Sequence, residues 1–77
     1  MVDPIQAEID RLLKQSLDFA REAKIAMHNA GVVGNAKARA MHIAHAAQFR
    51  AISENKAETA AEMVRRYGKQ LSLPLPA

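Results

Sequence analysis

Three histidines are the first residues of this 77-residue chain that could take part in chemistry. His42 and His45 are three residues apart, which places both on one face of a helix, and His28 precedes a glycine-containing connection by one turn. Imidazoles at this spacing could share a Zn²⁺ or Ni²⁺ ion, but no nearby carboxylate completes such a site. The chain has no cysteine, which excludes thiolate metal sites and disulfides. We therefore expect neutral histidines, partly buried or exposed, and predict no metal and no other cofactor.

Sequence patterns of catalysis are missing as well. The chain has no glycine-rich phosphate loop, no nucleophile elbow, and no serine or threonine placed with a histidine and an aspartate. Residues 31–34, Gly-Val-Val-Gly, have the form of an RNA-binding Gly-x-x-Gly loop, but that loop needs an α/β domain around it. Glu54, Glu58 and Glu62 repeat every four residues and are expected to be solvated. We predict that the protein is not an enzyme.

The C-terminal segment after Gly68 carries the most specific pattern. Leucines alternate at positions 71, 73 and 75, so an extended strand would present all three on one side. Pro74 and Pro76 are incompatible with a helix and favour extended geometry at the residue that precedes each of them. A segment that is already extended loses less conformational entropy when a groove binds it. We predict that 69–77 form an extended tail whose leucines bind a partner; the alternative is that they fold back over the end of the helical body.

Residues 70–75, Gln-Leu-Ser-Leu-Pro-Leu, resemble the hexapeptide Gln-Leu-x-Leu-x-Leu by which bacterial proteins dock on the DNA polymerase sliding clamp. They are similar in particular to the clamp-binding peptide of the regulators that inactivate the bacterial replication initiator, where the peptide lies near the N-terminus. The resemblance covers six residues of 77 and does not extend to the helical body. The AAA+ module of those regulators is absent, so their activity is not carried over.

The resemblance implies a role for each matching residue. Gln70 would place its amide, which is both donor and acceptor, in a polar subsite of the clamp. Leu73 and Leu75 would fill the hydrophobic pocket between two clamp domains, and Leu71 would add a contact at its side. The clamp, as the resemblance implies, offers more than one such pocket. The partner expected from these residues is therefore a bacterial DNA sliding clamp.

Two helices must carry this tail, and the first is predicted from about 4 to 30. Asp3 can serve as its N-cap, Pro4 suits the first helical position, and Gly31 is expected to end the helix in the left-handed conformation. Its apolar residues recur at steps of three and four, which predicts one buried stripe. The members of that stripe are Ile5, Ile9, Leu12, Leu13, Leu17, Ala20, Ala23, Met27 and Ala30.

The second helix is predicted from about 36 to 67, with Asn35 as its N-cap and Gly68 as its end. Cap-like residues near Ser53 raise the alternative of a break there, but a continuous helix is favoured because no glycine or proline intervenes. The short connection between two long helices predicts an antiparallel hairpin. The helical body is thus expected to span 1–68.

Two helices alone leave much of their apolar surface in water, so we predict a homodimer. The expected fold is all-α: an antiparallel two-helix hairpin that dimerises into a four-helix bundle and carries an extended C-terminal tail. Phe49, Ile52 and Met63 are the larger apolar residues expected in the dimer or core packing. A strip of alanines on the opposite side of the second helix indicates that neighbours can approach it closely there. These are Ala40, Ala44, Ala47 and Ala51, with Ile43.

Charge and hydropathy complete the expectations. The net charge of +3 divides into −1 for residues 1–35 and +4 for 36–77, and Lys37, Arg39 and Arg50 could form a modest basic ridge. No apolar run approaches the roughly 18–20 residues of a membrane span, and the acidic N-terminus does not resemble a signal peptide, so we expect a cytoplasmic protein. The favoured function is a small adaptor or regulator that docks on the sliding clamp in DNA replication or repair. The alternative is a dimeric helical bundle that binds nucleic acid or another protein, with a structural tail.

Overall fold

The computed structural model describes the backbone of residues 3–71 and the side chains of residues 3–68. Two helices account for nearly all of this part of the chain: α1 (Pro4–Val32) and α2 (Ala36–Leu71). They pack side by side in opposite directions, and Ser16 of α1 touches Ser53 of α2. The predicted all-α helical hairpin is confirmed. Helix α2 passes through Ser53 without a break, as favoured from the sequence.

The N-terminus of each helix is capped by the residue predicted for it. The Asp3 carboxylate accepts hydrogen bonds from the backbone N–H groups of Ile5 at 2.8 Å and Gln6 at 3.4 Å. The Asn35 side-chain oxygen accepts from the N–H groups of Lys37 at 2.8 Å and Ala38 at 3.1 Å. Each cap supplies acceptors for N–H groups that have no partner inside the helix, so both helix starts were readable from short-range chemistry.

The prediction that Gly31 ends α1 in a left-handed conformation is wrong. Helix α1 continues through Gly31 to Val32, and the C-cap is Val33, whose backbone is extended at φ −82° and ψ 139°. The Val33 N–H donates to the carbonyl oxygen of Asn29 at 3.2 Å, and neither Gly31 nor Gly34 adopts the left-handed conformation. An extended residue makes the turn here, so the special freedom of glycine is not required.

The C-terminal end of α2 also differs from the prediction. The helix runs through the buried Gly68 and ends at Leu71 rather than near Tyr67, so the backbone of Gln70 and Leu71 is helical and not extended. Glycine in a helix is only about 1 kcal/mol less favourable than alanine and does not force an end. The strong obstacle in the sequence is Pro74, which disfavours helical geometry at the residue before it. Residues 72–77, and with them Leu73 and Leu75, lie outside the described part of the chain.

The contact between the two helices follows a regular seam, which corrects the predicted stripe. Leu13, Leu17 and Met27, expected on the buried side, are 45%, 69% and 43% exposed. The seam residues of α1 are spaced alternately by three and four residues, which is the spacing of a coiled coil. They are Ile9, Leu12, Ser16, Phe19, Ala23, Ala26 and Ala30.

Side-chain size along the seam changes from the open end of the hairpin to the connection. At the open end Ile9, Leu12 and Ala60 form the buried cluster, with Met63 packed against it. Phe19 and Phe49 stack in the middle with ring centroids 6.1 Å apart. Phe49 and Met63 therefore pack within one chain, whereas Ile52 remains 38% exposed. Toward the connection the buried residues are all alanines: Ala23, Ala26, Ala30 and Ala46.

Candidate functional site

The clamp-like segment begins in the last turn of α2, at the open end of the hairpin. Val64 packs against the core cluster, Tyr67 is half-buried and Gly68 is buried, so the body is ordered up to the start of the segment. Of the four residues predicted to bind the clamp, Gln70 and Leu71 continue the helical backbone, and Leu73 and Leu75 lie outside the described residues. The segment thus begins at the end of the hairpin opposite to the connection.

The surface next to this end is charged and exposed. Glu62 pairs with Arg65 at 3.0 Å and with Arg66 at 3.5 Å. On α1, at the same end of the hairpin, the hydrogen bond from Arg11 holds the pKa of the Glu8 carboxyl below its ordinary value of 4.5. All of these groups are solvated, so their ion pairs contribute little to stability. The cations near the C-terminus of α2 complement the negative end of its dipole.

Two serines form a polar layer in the seam that the sequence analysis did not identify. The Ser16 hydroxyl donates to the Ser53 carbonyl oxygen at 2.9 Å, and the Ser53 hydroxyl donates to the Ser16 carbonyl oxygen at 2.7 Å. The two hydroxyl oxygens are 3.2 Å apart. Because these hydrogen bonds form only when Ser16 and Ser53 lie side by side, they favour one register of α1 against α2. The spacing of Ser16 between Leu12 and Phe19 was the signal that could have identified it.

Several apolar residues of the hairpin are exposed on one side of the seam. A groove of about 380 Å³ runs between α1 and α2 and is bordered by Lys24 and Met27 of one helix and Arg50 of the other. Residues at helical spacing from these belong to the same surface. We call this surface the Leu17 face: on α1 it comprises Asp10, Leu13, Leu17, Ala20, Lys24 and Met27, and on α2 Ile43, Ala47, Arg50, Glu54 and Ala57.

The three histidines, which were considered as metal ligands and expected to hold no metal, differ in their exposure. His28 and His45 are exposed and His42 is half-buried on the seam. In the part of the chain that the structure describes, no three histidine or carboxylate side chains come close enough together to hold a metal ion.

Comparison with known proteins gives no relative from which a function could be transferred. No protein-family model, no curated protein and no solved structure matches this chain. Within residues 3–71, neither helix combines the length and the apolar character that crossing a membrane requires. The functional proposal therefore depends on the chemistry of the chain itself.

Proposed function

We propose that this protein is a small non-enzymatic adaptor or regulator that docks on the bacterial DNA sliding clamp, acting in DNA replication or repair in the cytoplasm. The observation that carries the proposal is the run Gln-Leu-Ser-Leu-Pro-Leu at 70–75, with a glutamine and three leucines at the four characteristic positions. In this role Leu73 and Leu75 are the anchors in a hydrophobic pocket, Gln70 supplies the polar contact, and Leu71 packs beside them.

Docking in extended form requires the last turn of α2 to unwind. Gln70 and Leu71 are helical in the free chain, so their backbone must change before all four residues can lie along a groove. Gly68 is well placed as the hinge, because glycine is the least favourable non-proline residue in a helix. The last carbonyl groups of a helix also lack partners within it, which lowers the cost of opening the final turn.

Dimerisation would multiply the effect of a short peptide. A single short segment binds weakly because ordering it offsets much of its contact energy. A homodimeric four-helix bundle would present two tails, and the second tail would then act at high effective concentration. The resulting gain in affinity is of order 10²-fold where both tails can engage. The exposed Leu17 face of the hairpin supports such an assembly, since it leaves large apolar side chains in water.

The second candidate is a helical bundle that binds nucleic acid through exposed basic residues. Lys37, Arg39 and Arg50 are all exposed in the structure, which favours this alternative. Salt distinguishes the two functions. Binding through phosphate contacts weakens steeply as salt rises, whereas the docking of leucines in a pocket responds little.

The test is the affinity of the purified protein for a bacterial sliding clamp, measured by calorimetry, with the double variant Leu73→Ala/Leu75→Ala. We expect the variant to lose about 2–4 kcal/mol of binding free energy, or roughly 30- to 900-fold in affinity, while its helicity by circular dichroism is unchanged. Ser72→Ala is the matched control, because it changes the same segment at a variable position and should bind like the original chain.

Two results would contradict this assignment. Equal binding by the original chain and the double variant would show that these leucines are not the anchors. A double variant that unfolds at lower denaturant concentration would assign the leucines to the structure of the body instead. The control at Ser72 separates both results from a general effect of altering the segment.

A further inference from the structure

Helix α1 carries two opposite charges at equal distances on either side of its most exposed leucine, Leu17. Asp10 lies seven residues before Leu17 and Lys24 lies seven residues after it. Seven residues are about two helical turns, so the three side chains form a row along the helix. All three are exposed, and Leu17 is 69% exposed. If a second α1 packed antiparallel against this row, with a two-fold axis at Leu17, each Asp10 would face the other copy's Lys24.

Helix α2 carries a second pattern of the same kind. Arg50 and Glu54 are one turn apart, both are exposed, and Arg50 borders the groove of the Leu17 face. The midpoint between them is position 52. If a second α2 packed antiparallel with a two-fold axis at that level, each Arg50 would face the other copy's Glu54.

In the register of the hairpin, the two-fold axis inferred from α1 and the one inferred from α2 lie at the same level, so they can be a single axis. Ser16 is level with Ser53, and the helices are antiparallel, so position 17 of α1 is level with position 52 of α2. One two-fold axis therefore satisfies both charge patterns at once and creates four ion pairs in the dimer. A shared axis for patterns on two different helices is what a single partner that meets both helices requires.

The direction of the Leu17 face also suits a four-helix bundle. Leu17 follows the seam residue Ser16 by one position, and Glu54 follows Ser53 by one position, which turns each about 100° around its helix from the seam. Each helix of a four-helix bundle contacts two neighbours in directions about a right angle apart. The seam supplies the first contact of each helix and the Leu17 face the second.

We propose that the Leu17 face binds a second copy of this chain, with α1 antiparallel to α1 and α2 antiparallel to α2 of the other copy. The proposal specifies the dimer in the proposed function and does not depend on docking to the clamp. Within the described side chains, Asp10, Lys24, Arg50 and Glu54 take part in no ion pair of their own chain. The dimer gives each of them an oppositely charged partner, in addition to the hydrogen bond that Asp10 accepts from the Gln6 side chain, and removes the exposed leucines from water.

Small residues allow the two hairpins to approach closely. With the axis at Leu17, Leu13 of one copy lies near Ala20 of the other, and on α2 Ala47 lies near the other copy's Ala57. Pairs of this kind let the helices come together without steric conflict, while Leu17 meets its own counterpart on the axis. The larger exposed residues Met27 and Ile43 extend the apolar contact toward the connections.

The arrangement determines where the two tails emerge. Leu71 lies 19 positions beyond the axis level at 52, and the two α2 helices point in opposite directions. At 1.5 Å per residue the two copies of Leu71 are about 57 Å apart along the bundle. The dimer thus holds one clamp-like tail at each end.

A cysteine at position 17 tests the axis directly, because the natural chain has no cysteine. Leu17→Cys places the two introduced thiols next to each other on the axis, so mild oxidation should convert most of the protein to a disulfide-linked dimer. Val32→Cys is the matched control, since Val32 is 68% exposed but lies outside the Leu17 face. We expect at least a tenfold slower crosslinking for this control.

The variant Ile52→Cys places a thiol at the level of the proposed axis but on the side of the hairpin opposite to the Leu17 face. Ile52 is two positions from Arg50, about 200° around α2, so it faces away from the second copy. Crosslinking of Ile52→Cys as fast as Leu17→Cys, or a monomer in sedimentation at tens of micromolar of the original chain, would overturn the proposal. Neither readout involves the clamp, so a failure here is distinguishable from a failure of the docking assignment.

Reversal of charge tests the orientation. Asp10→Lys alone and Lys24→Asp alone each bring like charges together across the axis and should weaken dimerisation about tenfold at low salt. The double variant Asp10→Lys/Lys24→Asp restores opposite charges and should recover the affinity. Asp18→Lys, the same charge change off the Leu17 face, is the control and should have no effect. Failure of the double variant to recover would contradict the antiparallel arrangement.

Discussion

At the scale of single residues, the hairpin depends on small side chains in its seam. Toward the connection the buried positions are alanines, and Ala46 is only 1% exposed. Alanine contributes little hydrophobic energy, because it buries one methyl group, but it lets the two backbones come close. In the middle of the seam, the hydroxyl groups of Ser16 and Ser53 each donate a hydrogen bond to the backbone carbonyl oxygen of the other residue, which also requires the two helices to be close. The small residues in the seam therefore have two effects: the two helices approach closely, and α1 is fixed in one register against α2.

Enlarging a seam alanine should separate the helices. We expect Ala46→Leu to lower the free energy of unfolding by about 1–3 kcal/mol, because the added isopropyl group has no space at a buried position. Ala44→Leu makes the same change at an exposed position away from both the seam and the Leu17 face, and should be nearly neutral. Urea unfolding followed by circular dichroism at one protein concentration measures both. Equal stability of the two variants would contradict the tight seam.

At the scale of the helices, short-range signals were predictable and long-range ones were not. The caps at Asp3 and Asn35 act within three residues of the chain, so sequence alone located both helix starts. The helix ends predicted at Gly31 and Gly68 were wrong, because a glycine permits an end but does not impose one.

The seam could not be assigned from α1 alone, for a different physical reason. That helix has two neighbouring apolar rows, one with Ile9 and Leu12 and one with Leu13 and Leu17. The contact with α2, which includes the hydrogen bonds between Ser16 and Ser53, distinguishes the row that is buried within the chain. The clamp-like segment was readable as a motif, but the helical state of Gln70 and Leu71 depends on packing at the end of α2.

The helical state of Gln70 leads to a prediction about the end of α2. Lys69→Pro should shorten the helix, because proline lacks the N–H group and clashes with the carbonyl four residues before it. If docking requires an extended segment, the variant no longer has to unwind before binding, and its affinity for the clamp should rise by up to about tenfold. Clamp titration by fluorescence anisotropy measures this gain, and circular dichroism should report the loss of a few helical residues.

The matching control is Lys69→Ala, which removes the same charge and keeps the helix. It should bind no more tightly than the original chain. A proline variant with reduced helicity and reduced affinity would indicate that the segment binds as a helix, contrary to the extended docking proposed here.

At the scale of the whole molecule, the hairpin is a thin structure, in which the seam and the Leu17 face are two separate surfaces of each helix. The seam uses one stripe of each helix, and the Leu17 face leaves residues such as Leu13, Leu17 and Ile43 in water. In the dimer that we propose, a second copy covers this face and places the two copies of Leu71 at opposite ends. The number of clamp-like segments in one particle would then depend on the dimer interface.

This dependence predicts that disruption of the dimer weakens binding to a surface rich in clamps. Asp10→Lys leaves the tail unchanged, so its intrinsic affinity for one pocket should equal that of the original chain. On a densely coated sensor the dimer can bind through both ends, and the original chain should bind up to about tenfold more tightly than Asp10→Lys, which is the factor by which this variant weakens dimerisation. On a sparsely coated sensor, only the pockets of a single clamp are within reach of one dimer, so the difference should become smaller. Asp18→Lys should behave like the original chain on both surfaces. If the affinities of Asp10→Lys and of the original chain changed equally with the density of clamps on the sensor, the two tails would be acting independently.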